Sequence, residues 1–180
     1  MLEYNQKIGL YDSREEHDAC GIGFYANMDN KRNHAIVEKS LEMLRRLDHR
    51  GGLGADSVTG DGAGIMTEVP YDYFSKQTDF DLPGEGQYAV GMFFTNEQIA
   101  GSQHEAQFNA HFEAEGLSVI GYRDVPVDIN AIASHVADTM PFIQQVFVSL
   151  NDVSHVERKL FLARKQIENY ANQQQLDLYF

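Results

Sequence analysis

From Tyr88 to Phe180 the chain switches repeatedly between a two-residue and a 3.6-residue apolar period, and this switching limits the fold more than any other feature. "YAVGMFF" (88–94) reads as a strand. Thr95, with Gln98 in capping-box position, predicts a long helix, after which "LSVIGYRDV" (117–125) returns to strand. Asp128 opens a shorter helix, and "FIQQVFVSL" (142–150) is a third strand. Ser154 and Glu157 make a second capping box for a helix with Val156, Leu160, Ala163 and Ile167 on one face, ended by the polar "NQQQ". The last residues, "LDLYF", have strand composition and stop in mid-element. Strands alternating with helices predict an α+β or α/β fold, and the run from 88 to 150 reads as a split-βαβ unit inserted in a larger sheet. "KQTDFDLPGEGQ", just before it, reads as a surface excursion.

The first half is less regular. "CGIGFYANM" puts Ile22 and Phe24 on one face and Tyr25 on the other, a short strand pattern from about Gly21. Asn33 can cap a helix whose Ile36, Val37, Ser40, Leu41, Leu44 and Leu47 form a stripe ending before Gly51 and Gly52. "HRGGLGADSVTGDGAGI" is too glycine-rich for a helix and feeds the strand-like "IMTEV" before Pro70. Residues 1–19 are mostly polar, with weak periodicity and no apolar signal-type core, and read as an appended leader.

A chain of 180 residues suits one domain able to bury a core without staples. Its 43% hydrophobic and 23% charged residues are those of an ordinary globular protein. A net charge of -13, with no local basic cluster, disfavours nucleic acid and anionic membranes as partners, and no apolar run approaches membrane-spanning length. The lone cysteine, Cys20, forms no internal disulfide, which fits a cytoplasmic location.

Three roles are open to Cys20. It can be a small buried hydrophobe, it can pair with His17 on a metal, or it can be a nucleophile served by the glycines that follow it. The metal reading lacks a second ligand pair. "TGDGAGI" suggests a phosphate loop, but no Gly-Lys-Ser/Thr ending follows and Asp61 places negative charge where a phosphate would lie. Arg50 sits where a cation caps a helix end, beside glycines that would let a substrate approach. "ERKLFLARK" reads as a solvated helix face, with Arg158, Lys159, Arg164 and Lys165 outward.

Taken in order, "HDACGIGF", "LRRLDHRGGLGADSVTGDGAGI", "YRDVPV", "PFIQQVFV" and "ERKLFLARK" resemble the glutaminase domain of glutamate synthase large chains, a class II, N-terminal-nucleophile glutamine amidotransferase family. The resemblance covers nearly the whole chain. It implies an α+β, Ntn-hydrolase-like four-layer αββα sandwich of which residues 20–180 are the N-terminal part, and a propeptide at residues 1–19. In that family the cysteine of the "ACG" motif becomes the first residue of the mature chain, which carries over onto Cys20. A free thiol is only a few per cent ionised at neutral pH, and an α-amino group, with a pKa of about 7.7–8.0, suits the role of its base.

The resemblance further implies glutamine hydrolysis through a γ-glutamyl thioester, with ammonia passed to 2-oxoglutarate in the complete enzyme. Arg50 and Gly51 match the "HRG" that orders the site; Thr59, Gly60, Asp61, Gly62 and Gly64 match a loop expected to support the pocket. FMN, iron–sulfur and NAD(P)H or ferredoxin sites belong to other domains or subunits, so no cofactor is expected on this chain. Expected partners are L-glutamine, the remaining domains and a small subunit. The family's "RFST"-type segment, its Asn-Gly oxyanion pair and its amino-group-binding aspartate come later in the family pattern, and no Asn-Gly pair occurs here. Residues 1–180 alone are therefore expected to be inactive. Two alternatives stay open: an amidotransferase of the same class serving another acceptor, and a non-catalytic binding or regulatory module of the same fold.

Overall fold

A computed structural model describes residues 21–54, 56, 59–150 and 154–180; Cys20, His17 and the expected leader lie outside the described residues. The chain divides between Thr67 and Glu68 into two compact units.

The first unit is built on helix α1, Ala35–Arg46. Asn33 starts it as expected, its Oδ1 accepting the Ala35 N–H at 2.9 Å. Of the expected stripe, Ile36, Val37, Ser40, Leu44 and Leu47 are half-buried, while Leu41 is exposed. On the outer face Arg46 Nε donates to Glu42 Oε1 at 2.9 Å, and this bond with the guanidinium charge holds the Glu42 carboxyl below its usual range. A 3-10 turn, Asp48–Arg50, follows and gives way to extended backbone at Gly51. The strands expected at 21–27 and 65–69 are not formed. A strand needs a ladder for its N–H and C=O groups, and neither segment finds one among the described residues, so Ile22 and Phe24 stay about nine-tenths exposed.

The second unit is a four-stranded antiparallel sheet in the order β2-β3-β1-β4. Its strands are β1 Tyr88–Thr95, β2 Ser118–Asp124, β3 Phe142–Ser149 and β4 Leu178–Tyr179. Since β1 and β2 are each antiparallel to β3, they run parallel with β3 between them. Helix α3, Glu105–Ala114, makes the crossover from β1 to β2, so the predicted split-βαβ unit is present and the α+β class holds.

Alternation along the strands sends side chains to two cores. On one face Phe93, Val146 and Val148 pack with Phe108 and Phe112 of α3 and with Ala163 and Ile167 of α5, Val156–Gln174. Phe93 is ringed by Phe180 at 4.3 Å and Phe108 at 5.4 Å, centroid to centroid; burying each such ring contributes about 1.5–3 kcal/mol. On the other face Phe147 packs edge-on against Phe74, with Tyr88 beside them. Phe74 belongs to α2, Tyr71–Gln77, a helix absent from the sequence-based expectations.

The expected surface excursion is a cover instead, because Phe80 and Leu82 pack on this second core. Phe80 lies where a side chain on Gly121 would stand, beside a bulge in β2.

Three helix starts differ from expectation. The Thr95 hydroxyl is used locally, accepting the Glu97 N–H at 3.0 Å, and Gly101 adopts φ 77°, so α3 begins only at Glu105. Gln98 instead reaches the Asp124 carboxylate at 3.5 Å. Asp128 accepts the Asn130 N–H at 3.0 Å and caps a single 3-10 turn, Ile129–Ala131, before the four-residue helix α4, Ser134–Ala137. The capping box at Ser154 does not form; His155, at φ 55°, is the residue preceding α5 and makes no side-chain cap. The end of α5 is as expected. Gln175 turns left-handed at φ 57°, Leu176 N–H donates to Ala171 O at 2.9 Å and Gln175 N–H to Asn172 O at 3.3 Å, which closes the last turn.

Among the described residues no helix is long and apolar enough to cross a membrane.

Candidate functional site

The sequence-predicted residues Arg50, Gly51, Thr59, Gly60, Asp61, Gly62 and Gly64 all fall in the first unit, on the loop after α1. The apolar stripe of α1 fixes where this loop starts. Arg50 ends the 3-10 turn, its N–H donating to Leu47 O at 2.8 Å, and Gly51 follows with its N–H on Asp48 O at 3.0 Å. Gly51 is extended at φ -92°, a conformation open to any residue, so its backbone does not demand glycine.

From there the chain doubles back on itself. Leu53 and Gly60 form an isolated antiparallel bridge, and Gly54 N–H donates to Thr59 O at 2.6 Å. Gly52 and Asp61 are joined twice: Asp61 N–H donates to Gly52 O at 3.1 Å, and Gly52 N–H donates to Asp61 Oδ2 at 2.8 Å. A carboxylate accepting a backbone N–H is a charge-assisted bond and a firm tether. Gly60 has a clear reason to be glycine, since a Cβ there would stand 2.7 Å from Gly52 O. Gly62 and Gly64 differ, having nothing within 4 Å of where a Cβ would project. The space beside them is open.

Asp56 escaped the sequence reading. Its Oδ1 accepts both the Thr59 N–H at 2.9 Å and the Thr59 hydroxyl at 2.7 Å. The signal was present as an aspartate three residues before a threonine, the spacing of a local side-chain turn.

Gly21 lies against the stem of Arg50. A Cβ on Gly21 would be 3.1 Å from Arg50 Cβ and 3.3 Å from Leu47 Cδ2, which leaves little room for a side chain. The segment that follows Cys20 in sequence is thus gathered onto Arg50, and Arg50 is tied through Gly51 and Gly52 to Asp61. Arg50 is exposed, and a guanidinium so placed can hold a carboxylate or favour a thiolate by its charge. Among the described residues no group of three histidines, cysteines or carboxylates is placed to hold a metal ion.

These features meet a consistent set of relatives. The family model "Glutamine amidotransferases class-II" matches residues 20–180. The chain is 44% identical, over 99% of its length, to the glutamate synthase [NADPH] large chain of Bacillus subtilis (strain 168), of which it spans 12%. It is 39% identical, over 91% of its length, to the ferredoxin-dependent glutamate synthase 1, chloroplastic/mitochondrial, of Arabidopsis thaliana, and spans 10% of it. With the glutamate synthase [NADPH] large chain of Azospirillum brasilense it shares 33% identity over 94% of its length, spanning 12% of that protein. The chain spans only about a tenth of the length of these relatives. It belongs to the class-II glutamine amidotransferases.

Proposed function

We propose that this chain is part of the glutaminase domain of a glutamate synthase and that Cys20 is its nucleophile. The observation that carries the reading is the double Gly52–Asp61 tether, which holds the loop Thr59–Gly64 against the Arg50–Gly51 segment on which Gly21 packs. One peptide bond separates Gly21 from Cys20. The kinship to glutamate synthases of both the NADPH and the ferredoxin-dependent kind supports it.

In the proposed reaction, removal of residues 1–19 frees the α-amino group of Cys20, which takes the thiol proton. The thiolate attacks the side-chain amide carbon of L-glutamine. The tetrahedral intermediate collapses as the leaving nitrogen accepts a proton, and ammonia departs to leave a γ-glutamyl thioester. Water, deprotonated by the same amino group, attacks the thioester; the carbon–sulfur bond breaks, and glutamate and the thiol are released. Arg50 orders the site, and the loop Thr59, Gly60, Asp61, Gly62 and Gly64 supports the pocket wall.

In the whole enzyme the ammonia passes to 2-oxoglutarate, the flavin, iron–sulfur and electron-donor sites lie on other segments or a small subunit, and the enzyme works in the cytoplasm. Residues 1–180 hold no Asn-Gly oxyanion pair. One lost oxyanion donor costs about 2.7–4 kcal/mol, so this polypeptide alone has little or no glutaminase activity.

The test uses a chain extended to the length of its relatives. Intact mass and N-terminal sequencing are expected to find the mature chain starting at Cys20, with a glutamine-mimicking diazo-ketone attached to that residue alone. An active enzyme that keeps Met1, or one unlabelled at Cys20, overturns the reading.

A further inference from the structure

Helix α1 and the turn that follows it carry the residues against which the segment after Cys20 is laid. Gly21 meets the stem of Arg50 and Leu47, where a Cβ on it would stand 3.3 Å from Leu47 Cδ2. Gly23 meets Met43 instead: a Cβ there would overlap Met43 Sδ and stand 3.1 Å from Cε and 3.2 Å from Cγ. Ile22, between the two glycines, is 91% exposed. Residues 21 to 23 therefore point alternately towards α1 and away from it, as extended chain does. Among the described residues the segment has no strand partner, and contact with α1 locates it.

The spacing accounts for the fit. Two residues of extended chain advance about 6.6 Å, and the helical turn from Met43 to Leu47 rises about 6 Å. That turn continues past the end of α1 through the Leu47 N–H, which donates to Met43 O at 3.2 Å. Gly23 over Met43 and Gly21 over Leu47 are thus one helical turn apart, and the segment runs antiparallel to the helix. Such close seating is open to it because neither glycine has a side chain. Met43 is half-buried, its thioether occupying the place a Gly23 side chain would take.

We propose that Met43 and Leu47 are positioning residues for the nucleophile, Met43 acting through Gly23 and Leu47 through Gly21. The inference rests on the reading of Cys20 as that nucleophile. Consecutive Cα atoms are about 3.8 Å apart, so a movement of Gly21 is passed on to residue 20. Attack on an amide carbon needs the reacting atoms about 3–3.5 Å apart and aligned, and a misplacement of about 1 Å costs on the order of 100-fold in rate. The width of the side chain at position 43 sets the height of the seat, and with it the reach of the thiol towards the glutamine amide.

The test uses the enzyme at the full length of its relatives, with active sites titrated by the diazo-ketone so that kcat is counted per labelled Cys20. Gly23→Ala lifts the segment off Met43 and is expected to lower that kcat about 10- to 100-fold with KM nearly unchanged. Met43→Ala in the same chain gives the new methyl room, and the double variant is expected to regain about tenfold. In the unsubstituted background Met43→Ala lowers kcat while Met43→Leu, of similar volume, keeps it. Additive losses in the double variant overturn the proposal. So does a kcat per labelled site that no substitution alters, which would leave Met43 a role in the fold alone. Should Gly23→Ala give no labelled sites, Met43→Ala and Met43→Leu decide, and equal kcat in the two overturns it. An unsubstituted enzyme unlabelled at Cys20 removes the nucleophile reading and this inference together; a labelled one with unaffected variants removes this inference only.

Discussion

Glycines of one loop carry different burdens. A methyl on Gly60 would strike the Gly52 carbonyl, which is backbone and moves only with the whole turn, whereas methyls on Gly62 and Gly64 would meet open space. Gly60→Ala is therefore expected to part the Gly52–Asp61 tether, seen by NMR as faster exchange of the Asp61 and Gly54 amides. Gly62→Ala and Gly64→Ala are expected to leave both amides unchanged. Equal effects at all three positions would mean that the tether does not shape the loop. The glycines, Arg50 and Asp61 were legible from sequence, because a cluster of such residues marks a loop. The pairing of Asp61 with Gly52, nine residues back, was not, since no periodicity links the two.

Among the elements of the second unit, strands were easier to read than helix starts. β1, β2 and β3 are largely apolar runs whose side chains pack into cores on both faces of the sheet, so their composition marks them as strands although their burial does not alternate. A helix start depends on which oxygen is free to cap. Thr95 is engaged by Glu97, and α5 begins behind a left-handed His155 that no capping rule foresees. Helix α2 was missed because it is seven residues long with Phe74 as its one buried side chain.

The far end of α5 offers a direct test. Gln175 is exposed at φ 57°, a conformation that costs a side-chain-bearing residue about 1–2 kcal/mol, so Gln175→Gly is expected to raise unfolding free energy by about 1 kcal/mol in urea.

The sheet carries a second test, in alkali. Tyr122 donates to Asn109 Oδ1 at 2.8 Å, and burial, helped by the nearby Glu105 charge, pushes its phenol well above the usual 10.0; burial and then Tyr71 push Tyr88 the same way. The folded pKa lies above the unfolded one. The neutral phenols' contribution is fully present below about pH 10 and is lost as pH rises through the folded values. The melting temperature should fall from about pH 10 upwards, and less steeply in Tyr122→Phe.

For the molecule as a whole, charge and exposed apolar surface oppose each other. Ile22, Phe24, Met28 and Met66 of the first unit are at least nine-tenths exposed on a chain of net charge -13. Repulsion of that size keeps copies apart at low salt, and its reach shrinks from about 30 Å to about 3 Å between 0.01 M and 1 M salt. Sedimentation velocity of the 180-residue polypeptide is expected to show association growing with salt. Association that weakens with salt would place its cause in ion pairs. The whole-chain features legible in the sequence were the α+β class and the kinship; the division between Thr67 and Glu68 was not, because no linker composition marks it.

The strand order also governs when this sheet can exist. β3 is the neighbour of both β1 and β2, so the first two strands made have nothing to pair with until Phe142–Ser149 is synthesised. At about 5–20 residues per second, the wait between the end of β1 and the end of β3 is on the order of several seconds. Through that interval Phe93 of β1 and Phe108 and Phe112 of α3 lack Val146 and Val148 of β3, the partners they pack on in the finished sheet. Sheet formation during translation is then a single late event, triggered by the emergence of β3 from the ribosome.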